Sequence, residues 1–223
     1  DLDAIMPELI AASTMNNGQA CVAQTRILAT RSRYDEVVEA LTEAVAAIPV
    51  GDPANMETGC GPLIAERQRE RVEGYIQAGR DEGARVTTGG GRPEGLDRGW
   101  FVEPTVFADV DNSMRIAQEE IFGPVLAVIA VDDADDAVRV ANDSAYGLSG
   151  TVWTADADAG LDIARRVRTG TYTVNGFAME WGAPFGGFKD SGVGRELGPE
   201  GLAAYLESKT INLPAGTEPK LAY

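Results

Sequence analysis

The chain has 223 residues, 44% hydrophobic and 24% charged, with Lys+Arg 19 against Asp+Glu 35, a formal charge of −16 and no histidine. This fits one large α/β domain or two small ones with a substantial core, and the acidic balance excludes non-specific binding of nucleic acid or anionic lipid, which needs Lys/Arg surfaces. Without histidine there is no Ser-His-Asp triad, Cys-His pair or His-based zinc site, and two cysteines build neither a four-cysteine metal site nor a disulfide framework.

Catalysis within this chain therefore falls to carboxylates, Lys, Tyr, backbone dipoles or a lone thiol, and no metal is expected. No apolar run approaches the length of a membrane span. The acidic start Asp1-Leu2-Asp3 lacks the basic residues of a signal peptide. A cytoplasmic protein without a membrane or nucleic-acid partner is the expectation.

In chain order, residues 3–14 predict a helix with Ile5, Leu9 and Ile10 on one face, broken by Asn16-Asn17-Gly18. Residues 23–29 read as a strand and 34–47 as a helix with Val37, Val38, Leu41 and Val45 at helical spacing. Residues 65–82 form a charged helix with an apolar stripe of Val72, Tyr75, Ile76 and Ala78, ended by Gly83. Strands follow at 85–88, 101–107 and 125–131, a helix at 133–144, a strand at 149–154, a helix at 157–168 and a strand at 170–174. A helix over 199–206 and a strand over 210–213 close the pattern. The alternation through 100–175 predicts a mostly parallel α/β sheet flanked by helices, with its site on loops beyond the strand ends.

Cys21 sits in Asn17-Gly18-Gln19-Ala20-Cys21, between a helix and a strand. A free cysteine is most often a small buried hydrophobe. A Gly-bearing loop, however, lets the backbone approach a ligand and leaves amides free to hold a developing anion. A nucleophilic thiol needs its pKa lowered from about 8.5, here by dipoles, a cation or a carboxylate. Cys60, between Gly59 and Gly61, reads as an inert thiol. Gly192-Val193-Gly194-Arg195-Glu196-Leu197-Gly198 lacks both the preceding strand and the third-Gly spacing of a dinucleotide fingerprint.

The Cys21 pentapeptide resembles the nucleophile motif of the NAD(P)-dependent aldehyde dehydrogenases. In the family's order follow Gly61-Pro62-Leu63-Ile64, Pro104-Thr105-Val106-Phe107, Gln118-Glu119-Glu120-Ile121-Phe122-Gly123-Pro124-Val125, Asn142-Asp143-Ser144-Ala145-Tyr146-Gly147-Leu148, and Pro184-Phe185-Gly186-Gly187-Phe188-Lys189-Asp190-Ser191-Gly192-Val193-Gly194-Arg195-Glu196. The resemblance implies that Cys21 attacks an aldehyde, passes through a thiohemiacetal with hydride transfer to NAD (or NADP), and leaves a thioester for water. The Cys21 N–H would donate to the oxyanion. Glu120 and Phe122 would hold the nicotinamide ribose, with Glu119 structural and Gln68 near the cofactor or simply exposed. Phe177, Trp181 and Phe185 would line the substrate pocket, suiting an apolar or aromatic aldehyde. Met179 and Glu180 share that loop, and Glu180 would face solvent or a polar substrate group.

The family's dinucleotide-binding domain and its glutamate base, in a Glu-Leu-Gly-Gly-Lys type segment, precede the part matched here. The sequence is thus expected to be a fragment, inactive alone: residues 1–204 as catalytic domain and 205–223 as a tail for a homo-oligomer, dimer or tetramer. A CoA-acylating subtype and a non-catalytic assembly module are the alternatives.

Overall fold

Seven apolar residues in a row, Val125–Val131, make the central strand β4, and a continuous apolar run is what a strand covered on both faces requires. In the computed structural model, which describes residues 1–217, β4 pairs in parallel with β1 (Arg26–Thr30) on one side and β3 (Thr105–Ala108) on the other. Strand β2 (Arg85–Thr88) adds antiparallel to β3, giving the order β1-β4-β3-β2. Alternation assigns the two faces. Val125, Ala127, Ile129 and Val131 enter a core with Val72, Ile76 and Phe107. Leu126 and Val128 enter the other, with Met6, Leu9, Leu41 and Val45.

Helices α1 (Leu2–Thr14) and α2 (Tyr34–Ala46) supply the second core. The first belongs to α3 (Glu66–Asp81), whose buried Val72, Tyr75, Ile76 and Gly79 fall on one helical stripe. Gly79 lets α3 approach β3: a methyl there would stand 2.9 Å from Phe107 Cζ. Gly83 ends the helix at φ +94°, as its placement predicts. A single-turn helix α4 (Arg115–Gln118) precedes β4, and α5 (Ala134–Asn142) follows it, capped by the Asp133 carboxylate. Strands β5 (Ser149–Val152) and β6 (Thr171–Val174), joined through α6 (Ala157–Arg166), form a separate parallel ladder. Helix α7 (Gly198–Ala203) is the last regular element among the described residues.

The architecture is the expected mostly parallel α/β arrangement flanked by helices, with local corrections. The sheet is two ladders rather than one. Side chains join them: Gln24 Nε2 donates to Thr151 Oγ1 (2.9 Å) and Ser149 Oγ to the Val22 carbonyl (3.1 Å). Residues 23–25 and 101–104 lie outside the strands. Ala23 N–H closes a turn on Ala20, Pro104 has no N–H to give a ladder, and Glu103 N–H goes to Gly91. The buried face of α1 is Met6-Leu9-Ser13, leaving Ile5 and Ile10 half-buried. Residues 210–213 form no strand, because no described strand edge lies beside them to complete a ladder, and Ile211 is 71% exposed.

Candidate active site

Asn16, Asn17 and Gly18 are consecutively left-handed, at φ 50°, 58° and 73°. Asn and Gly are the residues that adopt this region at least cost, so the sequence turns sharply here and delivers Cys21 to the surface. Two side chains of the same turn fasten it to the segment carrying Gly61-Pro62-Leu63-Ile64. Asn17 Oδ1 accepts from Gly61 N–H (2.8 Å), and Asn17 Nδ2 donates to the Pro62 carbonyl (3.2 Å). Gln19 Oε1 accepts from Ile64 N–H (3.0 Å). Among the described residues, the Cys21 N–H donates to no group of the chain.

The turn Glu119–Phe122 lies next to this loop, because Gly18 packs backbone to backbone on Gly123. Phe122 is left-handed (φ 63°), a strained setting for a bulky residue. Helix α3 holds the turn through its carbonyls. Gln68 Nε2 donates to Phe122 O (2.7 Å), Arg71 Nε to Ile121 O (3.2 Å) and Arg71 Nη2 to Glu120 O. Tyr75 OH donates to Glu119 Oε2 (2.8 Å), and Arg115 grips both Glu119 oxygens (2.9 and 3.1 Å). The bonds from Arg115 and Tyr75 hold the Glu119 carboxyl down at about 2. Glu120 has no ion-pair partner among the described residues and stands exposed.

A cleft of about 650 Å³ between β1 and β5 is lined by Cys21, Glu119 and Glu120 together with Leu9, Trp153 and Tyr172. It is lined by more apolar than polar surface, as small-molecule sites are. Burial pushes the Tyr172 phenol up to about 12, so it stays protonated at neutral pH. Lys189 Nζ donates to the carbonyls of Asn142 (2.7 Å) and Ser144 (2.8 Å). Neither residue is free to act as a base. A second hollow, of about 740 Å³, lies around Asp109, Asp132 and Asp136, where Arg85, Arg31 and Arg139 pair the carboxylates.

Of the residues picked from sequence, the structure brings Cys21 and Glu120 to one cleft. Gln68 and Phe122 meet each other outside its wall, and Gln68 is half-buried and bonded rather than simply exposed. Phe177, Trp181 and Phe185 lie elsewhere. Phe177 N–H donates to Glu8 (2.8 Å), Phe185 pairs its backbone with Glu196, and Trp181 is 71% exposed. Glu180 faces solvent and accepts from Gly182 N–H (2.9 Å). Cys60 is buried, and burial raises its thiol to about 11. Sequence reading missed Arg71, Tyr75 and Arg115. The spacing Gln68, Arg71, Tyr75 (i, i+3, i+7) marks one helical face and is the signal that finds the first two. Two further motif segments prove to be braces: Gly147 N–H donates to Ser191 Oγ (2.9 Å), and Gly147 O accepts from Phe188 N–H (2.8 Å).

An exposed free thiol, three residues past a left-handed turn, and an unpaired carboxylate thus line one cleft of a mostly parallel α/β scaffold. The family model for the aldehyde dehydrogenase family matches residues 1–211, and the chain belongs to that family. Geranial dehydrogenase of Castellaniella defragrans is 54% identical over 213 residues, covering 96% of this chain and 44% of that protein. A 3-succinoylsemialdehyde-pyridine dehydrogenase of a Pseudomonas species is 42% identical over 212 residues, 95% of this chain and 44% of its own length. Mycobacterium tuberculosis aldehyde dehydrogenase complexed with NAD+ superimposes with a TM-score of 0.96 at 57% identity, covering 98% of this chain and 45% of that one. A Pseudomonas syringae aldehyde dehydrogenase C mutant complexed with NAD+ and octanal gives 0.94 at 43% identity, covering 97% and 45%. The chain spans a little under half the length of these relatives.

Proposed function

We propose that this chain is the thiol-bearing catalytic portion of an NAD-linked aldehyde dehydrogenase that oxidises an apolar or aromatic aldehyde to its acid. The observation that carries the reading is the exposed Cys21, with its N–H unused, sharing a cleft with the unpaired Glu120. Cys21 Sγ adds to the aldehyde carbonyl, forming the S–C bond of a thiohemiacetal. The carbonyl oxygen gains charge in that step, and the Cys21 N–H is free to donate to it. The thiohemiacetal carbon then has to give up its hydride, for which NAD would supply the acceptor, and the Cys21 thioester left behind is cleaved by water, releasing the acid and restoring the thiol. Deprotonation of thiol and water is assigned to the family's upstream glutamate, so the chain alone gives no turnover.

The residues present fit the nicotinamide end of NAD. Glu120 offers an unpaired carboxylate to sugar hydroxyls, and Phe122, two residues on in the same turn held from α3, is assigned to pack its ring on the cofactor. When bound, NAD supplies the two-electron acceptor. The NAD+ complexes of two structural relatives support this choice of cofactor. Octanal in one of them, and the name geranial dehydrogenase, support an apolar aldehyde. Phe177, Trp181 and Phe185, which lie outside that cleft, are assigned to the substrate pocket on the resemblance to the family.

Exposed apolar side chains on and after α7 support the oligomer and the role of residues 205–223 in it: Tyr205 is 87% exposed, and Leu206 and Ile211 are also exposed. No helix of the described residues is long and apolar enough to cross a membrane, and both cysteines are free thiols, which supports a reducing, cytoplasmic setting. The test is Cys21→Ala in the full-length enzyme. Loss of NADH formation from octanal and NAD is expected, and retained activity overturns the assignment.

A further inference from the structure

Glu120 has to be held in place by something other than its own side chain, which pairs with no described residue. Its backbone is gripped instead. The successive carbonyls of Glu120, Ile121 and Phe122 all accept from α3, the first two from Arg71 and the third from Gln68. One guanidinium thus spans two consecutive carbonyls, the kind of fork-shaped recognition that a lysine cannot reproduce.

The same guanidinium lies over the Tyr75 ring at 5.0 Å and donates to Tyr75 OH at 3.3 Å. Tyr75 OH continues to Glu119, which Arg115 also holds. The grip works against a local cost, since Phe122 sits at φ 63°. A left-handed phenylalanine persists only where surrounding contacts over-determine the turn.

We propose that Arg71 is a positioning residue for the cofactor. By bonding the Glu120 and Ile121 carbonyls it fixes where the Glu120 carboxylate meets the ribose, without touching the cofactor itself. The proposal rests on the reading that Glu120 holds the nicotinamide end. Arg71 is itself exposed, so its removal acts on the turn rather than on the core.

The experiment is equilibrium binding of NAD to the full-length enzyme by calorimetry, on wild type, Glu120→Gln, Arg71→Met and Arg71→Lys. Arg71→Met keeps the apolar stem and removes every donor, so the fold is retained. Thermal melting and the rate at which a small reagent labels Cys21 check this. Arg71→Met is expected to weaken NAD binding about ten-fold, as loss of charged hydrogen bonds does, with Arg71→Lys in between. Cys21 labelling stays at the wild-type rate. If Glu120→Gln weakens binding and Arg71→Met leaves it within about two-fold, the positioning role is overturned while the cofactor reading stands. If Glu120→Gln itself binds NAD as wild type does, the cofactor reading fails, and this proposal with it.

Discussion

Gly18 and Gly123 lie backbone against backbone: a methyl on Gly18 would stand 2.1 Å from the Gly123 carbonyl oxygen. This contact joins the turn that presents the thiol to the turn that presents Glu120. Gly18 is also left-handed, so both space and conformation demand glycine.

Gly18→Ala is therefore expected to separate the two turns. The overlap is with backbone, which cannot swing away as a flexible side chain does, and the φ adds strain. A loss of about 2–3 kcal/mol in stability is expected, with NADH formation falling further than stability explains. Paired thermal melts and steady-state rates measure both. A variant that melts and turns over like wild type contradicts the contact.

The two thiols are expected to react very differently. Cys21 is exposed, whereas Cys60 is buried and raised to about 11, which leaves almost no thiolate at pH 8. A maleimide or disulfide reagent should label Cys21 in the folded protein and Cys60 only after denaturation. Peptide mapping reads the site, and prompt labelling of Cys60 in the native protein would refute its burial.

Glu119 carries a pH signature. Its carboxyl is held at about 2, first by Arg115 and then by Tyr75, against an ordinary 4.5. A depressed carboxyl contributes stability that is fully present above its unfolded value and is lost as pH falls through its folded value. The window here runs from about 4.5 down to about 2. Because the Glu119 side chain is 44% exposed, solvent screening reduces the contribution to about 0.5 kcal/mol. The gap in melting temperature between wild type and Arg115→Ala should narrow as pH drops through that window in low salt. A gap that stays constant would show that Arg115 does not act through the Glu119 charge.

The parts of the fold legible in the sequence are those with their own period. Strand β4 is bounded as its apolar run predicts, and α2 and α3 show their buried stripes at helical spacing. Helix α4 is a single turn with no period to read. The separation of β5 and β6 from the larger sheet depends on which strands meet, and that information lies far apart in the chain. Residues 101–104 are apolar enough to pass for strand, yet Pro104 withholds a donor and the backbone bonds run to loops. At the site, Asn16-Asn17-Gly18 announces its turn through residue chemistry. Arg71 and Tyr75 do not, because an arginine on a charged helix face reads as solvated and Tyr75 reads as part of the apolar stripe until the turn of residues 119–122 is seen lying on them. The placement of Phe177, Trp181 and Phe185 depends on how a long loop folds, which no local pattern encodes.

The proposed chemistry requires a covalent bond between Cys21 and the substrate carbon. Intact-mass and peptide analysis of the full-length enzyme, quenched in acid during turnover of octanal with NAD, tests it most directly. An octanoyl adduct should appear on the peptide carrying Cys21 and be absent from the Cys21→Ala variant. Turnover that proceeds with no adduct at Cys21, or with one on another residue, contradicts the account.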